Sequence, residues 1–418
     1  MMNRSIAPEL HTIEKIDFQT PEKLIFAKDK TLIVNRKVQN ETARVDFYFD
    51  AGSAKGAPLI ASLCAGLIFS GTDKLSSTAI HAKLDGLGAF FDISNSHESA
   101  VISFYALRTQ MPAILSFFKE VVENAVFPDN EINELIADRK QKHLVNLEKM
   151  NFLVQREFQR TLFQNTEYGN LSELADFEKV ESQSIREFFK SNYLNGLFKI
   201  VVVGDFDETF TNSILSDFQN WSKNEARQLR DTFFYKPENK HIEREKALQT
   251  AIRVGKLLFN KTHPDYHQFV ILNTILGDYF GSRLMKNIRE DKGYTYGIGS
   301  YLSEFRHTAF FAIATEVGKD VKDAAIKEIQ FELQRLQDEL IPEEELGLVR
   351  NYLEGQSLKS ADGPYSMTDL FLQVDRFGLS MDFYNDFLSE LHRVSPEDLR
   401  EIARKHLHWN SLSIITAG

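Results

Sequence analysis

The chain has 418 residues, and its 60 acidic against 49 basic side chains give a net charge of −11. That surplus argues against nucleic acid as the main partner, while the length suggests two or three domains with ample core. A single cysteine excludes an internal disulfide and any cysteine-based zinc centre.

The first residues, MMNRSIAPELHTIEK, contain no hydrophobic signal core, so the sequence as written is expected to be cytoplasmic. Cys64 lies in LIASLCAGLIF, Leu59 to Phe69, a run too short to cross a membrane. No membrane association is expected, and the cysteine reads as buried and structural. Gly71 closes this helix-like run, Ser76 and Ser77 open a second, and Gly88 ends that one. The aromatic strand AFFDISNS then pairs across a polar turn with SAVISFYAL. At Phe127 begins FPDNEINELIADRKQKHL, a proline and an acidic first turn opening a long helix. VESQSIREFFKSNYLNGLFKIVVVG, ending at Gly204, supplies a helix and a closing strand. The polar stretch from Trp221 to Glu243 reads as a linker.

The second half repeats this plan. IPEEELGLVRNYLEGQSL begins at Ile341, and VSPEDLREIARKHLHWNSLSIITAG ends at Gly418. Pro342 minus Pro128, Arg400 minus Arg186 and Gly418 minus Gly204 all equal 214, so the chain is duplicated. Gly277, Ser282 and Gly293 stand where Gly71, Ser76 and Gly88 stood, and YTYGIGSY pairs with TAFFAIATEV. Each half reads as strand, two helices, strand hairpin, two or three helices and closing strand. The expected class is α+β: two homologous domains, residues 1–220 and 244–418 with 221–243 between them. Each is a mostly antiparallel sheet with helices packed on one face.

Several chemistries fail on spacing. AGSAKG and GDYFGS have neither the GxGxxG spacing nor the Gly-Lys-Ser/Thr ending of phosphate loops, so they are turns. No HExxH or GxSxG is present. His263 and His267 have helical i, i+4 spacing, but Pro264 and Asp265 mark a helix start there and no carboxylate pattern supports a metal. His406 and His408 flank a helix end, where they offset the dipole. His97 and Glu98 fall in a hairpin turn, and His81 on a solvated helix face. NIREDKGYTYGIGSY remains, with Arg289 at a helix end and Tyr296 seven residues on at a strand start. A guanidinium and a phenol facing one cleft are donors suited to a carbonyl or developing oxyanion; the alternative is a surface ion pair and a packed ring.

LGDYFGSRLMKNIREDKGYTYGIGSY, with FSGTDKLSSTAIHAKLDGLGAFFDISNS, PEDLREIARKHL and the duplication, resembles the M16 metallopeptidases: pitrilysin, insulysin and mitochondrial processing peptidase. The resemblance implies that the two domains form half of a clam shell, and that Arg289 and Tyr296 are the pair that contacts the substrate carbonyl. Active members carry His-x-x-Glu-His just before Phe-x-Gly-Thr. Registered on Phe69, Gly71 and Thr72, those three positions are Ser62, Ala65 and Gly66. The family's third ligand falls between Lys140 and Glu148, with Glu148 the nearest carboxylate. A catalytic zinc wants three protein ligands and a general base, so no metal or other cofactor is expected in this chain. The resemblance thus implies the non-zinc subunit of a heterodimeric peptidase acting on peptides, its zinc carried by a homologous partner with an intact His-x-x-Glu-His. The alternative is a catalytically inactive structural or binding member, like core subunits of respiratory complexes.

Overall fold

The computed structural model describes residues 13–28, 30–164, 166–225 and 228–418, and its first half opens with β1 (Glu22–Ala27), β2 (Lys30–Asn35) and β3 (Thr42–Phe49). Next come α1 (Ile60–Leu67), α2 (Ser77–Gly86) and the hairpin of β4 (Phe90–Asn95) and β5 (Ala100–Leu107). Then follow α3 (Met111–Glu123), α4 (Asp129–Leu147), α5 (Met150–Leu162), α6 (Ser182–Asn192) and the closing strand β6 (Leu197–Val203). The six strands lie in the order β1-β2-β6-β3-β5-β4, with β2 and β6 parallel and the other pairs antiparallel.

After α7 (Glu208–Phe218) the plan returns with β7 (Asn239–Ile242), β8 (Gln249–Leu258) and α8 (Tyr266–Leu276). A π-helix, Met285–Asp291, takes the place corresponding to α2, and β9 (Ile298–Glu304) and β10 (Ala309–Gly318) form the hairpin. Five helices follow: α9 (Lys322–Asp338), α10 (Glu343–Ser360), α11 (Gly363–Asp375), α12 (Asp382–Arg393) and α13 (Pro396–His406), before β11 (Ser413–Ala417). The sheet order is β7-β11-β8-β10-β9, with β7 and β11 parallel. Between hairpin and closing strand, the four helices of the first half (α3–α6) and the five of the second (α9–α13) exceed the two or three anticipated there from the sequence.

The duplication extends to backbone angles. Pro128 and Pro342 precede α4 and α10 with φ, ψ of −60°, 139° and −58°, 140°. Proline supplies that φ without strain, and the acidic residues of each first turn face the positive end of the helix dipole. Gly88 and Gly293 both adopt φ of +66°, the left-handed conformation that ends a helix and favours glycine.

Each half's own helices cover one face of its sheet. Phe47 and Phe104 pack on Phe118 in the first half, while Val254, Phe311 and Ile313 meet Leu272, Ile275 and Leu333 in the second. The opposite face of each sheet is covered by the other half. Val154, Phe158 and Leu162 of α5 pack against Ala251, Ala312, Ile415 and Ala417 of the second sheet. Phe371 and Val374 of α11, with Leu388 of α12, pack against Ile33, Val201 and Val203 of the first. At about 1.5–3 kcal/mol for each large apolar side chain buried, this exchange ties the halves together strongly.

The connecting stretch is anchored at both ends. Trp221 is 2% exposed in the first core, its Nε1 donating to Glu123 at 3.1 Å, and β7 already belongs to the second sheet. Among the described residues no helix is long and apolar enough to cross a membrane.

Candidate functional site

Ser282 precedes the helical turn that leads into the π-helix, and Gly293 follows its last turn. The amide of Lys292 donates to the carbonyl of Asn287 at 3.0 Å, a five-residue step that widens the helix. Arg289 projects from this segment with its guanidinium 4.8 Å from the centre of the Phe280 ring and 3.9 Å from the Glu290 carboxylate. It is therefore positioned by a cation–π contact and a loose ion pair, not locked in a bidentate salt bridge.

Tyr296 lies two residues short of β9, on the loop before the strand rather than at the strand's start, and its side chain is 95% exposed. The loop beneath it is fixed. Thr295 Oγ1 lies 2.7 Å from the carbonyl of Glu316 and accepts from the Gly297 amide at 3.1 Å and Thr315 Oγ1 at 2.9 Å. An exposed phenol is thus held out from a loop clamped to β10. Arg289 and Tyr296 share the junction, but no hydrogen bond joins them. Phe280, Thr295 and Thr315 were not singled out in the sequence. Thr295, set between Tyr294 and Tyr296, was the available signal.

The positions aligned with the metal motif lie on α1. Ser62 Oγ donates to the carbonyl of Leu59 at 3.0 Å, Ala65 is buried and Gly66 is open. Fully buried Cys64 packs on the other side of the helix, and burial pushes its thiol well above the ordinary range. These three positions border a cavity of about 740 Å³ between α1, α2, β4 and the first half of α4. The α4 carboxylates on its wall are Glu131, Glu134 and Asp138, whereas Glu148 caps the far end of the helix. Leu135 and Arg139 cross above Gly66, which is why the wall comes from this part of α4. Among the described residues no group of three or more histidine, cysteine or carboxylate side chains is gathered as a metal site. With a committed serine, an alanine and a glycine at the motif, the donors do not fit zinc.

The histidines have local partners. His263 precedes α8 and stacks on Phe259 at 4.0 Å, and His267 within α8 meets Phe383 at 4.5 Å, so the two do not share a helix. His406 at the end of α13 has Nε2 2.6 Å from Asp265 Oδ2, a specific partner beyond the helix dipole. Glu98, in the β4–β5 turn, accepts from the Tyr168 hydroxyl at 2.7 Å and from the Arg306 amide at 2.8 Å, joining the two halves.

Comparison with known proteins agrees with this geometry. Residues 31–173 match the family model "Insulinase (Peptidase family M16)", and residues 179–353 match "Peptidase M16 inactive domain". The chain is 22% identical over 353 residues to the "Uncharacterized zinc protease YmxG" of Bacillus subtilis (strain 168), covering 81% of this chain and 83% of that one. It is 20% identical over 365 residues to the "Non-peptidase homolog YmxG" of Helicobacter pylori (strain ATCC 700392 / 26695), covering 85% and 83%. A crystal structure of a peptidase M16 inactive domain from Pseudomonas fluorescens superposes with a TM-score of 0.87 at 21% identity, covering 96% of this chain and 98% of that one. A Helicobacter pylori protease structure gives 0.82 at 15%, covering 95% and 100%. At such identities the structural likeness establishes the fold alone.

Proposed function

This chain belongs to the M16 peptidase family, and on that premise we propose that it is the non-zinc subunit of a two-chain peptidase, inactive alone. In this reading a homologous partner with an intact His-x-x-Glu-His supplies the metal and the base. This chain supplies Arg289 and Tyr296, which donate hydrogen bonds to the carbonyl oxygen of a bound peptide as it gains negative charge. The observation that carries the reading is Tyr296. A phenol 95% exposed on a loop fixed by Thr295 contributes nothing evident to folding and is preorganised to meet something outside this chain. The substitutions at Ser62, Ala65 and Gly66 support the division of labour, because they remove the metal half of the machinery and leave the donor half.

A second reading, a binding or structural member without any hydrolytic role, draws support from Arg289. Its guanidinium rests over the Phe280 ring, a contact made within this chain. Co-expression with a zinc-motif homologue encoded beside this chain separates the two. The first reading expects a stable one-to-one complex with chelator-sensitive peptidase activity that neither chain has alone. A zinc chain fully active alone, or no association, favours the second.

A further inference from the structure

The duplication sets a buried cation where the first half has a balanced pair. Asp46 pairs in register with Val201 and Arg253 with Ile415, and those two partners are 214 positions apart, so Arg253 of β8 is the counterpart of Asp46 of β3. Each lies on the sheet face that the other half's helix covers. Asp46 has Arg44 beside it at 3.1 Å, but Ala251 stands at the position corresponding to Arg44. Arg253 is 8% exposed, and among the described residues no carboxylate forms an ion pair with it. Glu316 of β10, two positions from the Ala314 that pairs with Arg253, and Glu148 at the end of α4 are both exposed and form no ion pair among the described residues. A buried charge without a counter-ion is costly, so the arrangement calls for an anion from outside the chain.

The guanidinium also dictates what its neighbours present. Its Nη1 donates to the Tyr301 hydroxyl of β9 and its Nη2 to Asn151 Oδ1 of α5 at 3.0 Å, while its Nε has no partner. A guanidinium can only donate, so both neighbours accept from it. The phenol proton and the Asn151 Nδ2 amide are left to donate elsewhere, and neither finds an acceptor among the described residues. Asn151 is exposed and Tyr301 half-buried. Asn151 is also the second residue of α5, which begins with no capping side chain and no acidic residue in its first turn, so the positive end of that helix is uncompensated. A buried cation, a helix end and two oriented donors thus meet at one seam between the halves, and all of them favour negative charge.

We propose that this seam binds a small oxyanion, a carboxylate or phosphate group, through the Tyr301 hydroxyl and Asn151 Nδ2 in front of Arg253. Held there, the anion fastens α5 of the first half to β8 and β9 of the second. The site is independent of Arg289, Tyr296 and any partner subunit. It is tested on the isolated chain by thermal unfolding at neutral pH in rising sodium phosphate or sodium acetate, against sodium chloride at matched ionic strength. The Tm is expected to rise saturably with at least one of the two oxyanions and not with chloride, as for a ligand that binds only the folded chain. Saturation by phosphate alone assigns a phosphate group to the site, and saturation by acetate assigns a carboxylate. Tyr301→Phe and Asn151→Ala each delete one donor and should raise the half-saturating concentration about tenfold, the worth of a hydrogen bond to a charged group. Arg253→Met should abolish saturation. A merely structural role for these residues would lower the Tm in chloride and leave the half-saturating concentration where it was. An equal rise in chloride, no saturable rise in either oxyanion, or unchanged half-saturation in Tyr301→Phe or Asn151→Ala overturns the proposal.

Discussion

Arg44 of β3 and Asp369 of α11 are 325 positions apart in sequence, and their side chains meet at 2.6 Å. The Arg44 guanidinium is buried and also lies 3.1 Å from Asp46, whereas the Asp369 carboxylate is about half exposed. The pair fastens the helix lent by the second half to the back of the first sheet. Asp369→Ala removes one of the two carboxylates from a buried cation. Removing a partner from a wholly buried pair costs about 3–5 kcal/mol, but exposure of Asp369 and retention of Asp46 reduce the expected loss to about 1–2 kcal/mol. Urea denaturation measures it. A loss below about 0.5 kcal/mol would mean that the apolar face of α11 holds the helix unaided.

Asp46 gives this contact a pH dependence. Burial raises its pKa to about 6, outweighing the attraction of Arg44, from an ordinary value of 3.8. Between those values the folded chain binds more protons than the unfolded one, so stability falls as pH rises from about 4 through 6. The two-unit shift corresponds to at most about 3 kcal/mol. Asp46→Asn removes this component, so its stability relative to the parent should improve by about 2 kcal/mol on going from pH 4.5 to pH 7.5. An identical difference at both pH values would show that Asp46 does not titrate in that window.

Exchange of helices predicts damage in the half that was not mutated. Phe158 belongs to the first half and is 3% exposed against the second sheet. Phe158→Ala should cost about 3–5 kcal/mol and leave a cavity there. Amide hydrogen exchange should then lose protection chiefly in β8 and β11 rather than in β3 and β6. Uniform loss across both sheets would instead mean that the two halves unfold as one unit. Cleavage of the backbone between Trp221 and β7 should leave the fragments bound to each other on size-exclusion chromatography, because each covers the other's apolar sheet face.

Local chemistry was legible in the sequence, and tertiary assignment was not. Pro128, Pro342, Gly88 and Gly293 announced helix ends because fixed φ and freedom at positive φ are properties of single residues. The spacing of 214 revealed the duplication for the same reason. That α5 would bury an apolar face could be read from its residues, but not that the face would meet the other half's sheet. Nor does composition mark the π-helix at Met285–Asp291. At the site, Arg289 and Tyr296 stood out by type and spacing. The clamp by Thr295 and Thr315 depends on a hydroxyl geometry that exists only once β9 and β10 have paired.

The role of Tyr296 can be separated from its effect on folding because its ring is almost wholly in water. Tyr296→Phe keeps that ring and removes only the hydroxyl, so unfolding free energy should change by less than about 0.5 kcal/mol. If the phenol donates to the peptide oxygen in the transition state, the assembled pair should lose about 10²–10³ in kcat, with little change in KM. Loosening the loop is a different perturbation. Thr295→Val removes the oxygen that accepts from Gly297 and Thr315 but leaves the phenol intact. It should lower kcat by a smaller factor, since a mobile donor still reaches the oxygen part of the time. The order parent, Thr295→Val, Tyr296→Phe in falling kcat is therefore the signature of a preorganised donor. Equal kcat in all three would assign Tyr296 to contact with the partner subunit's surface, which a shift in the dissociation constant of the pair, measured by analytical ultracentrifugation, would then register.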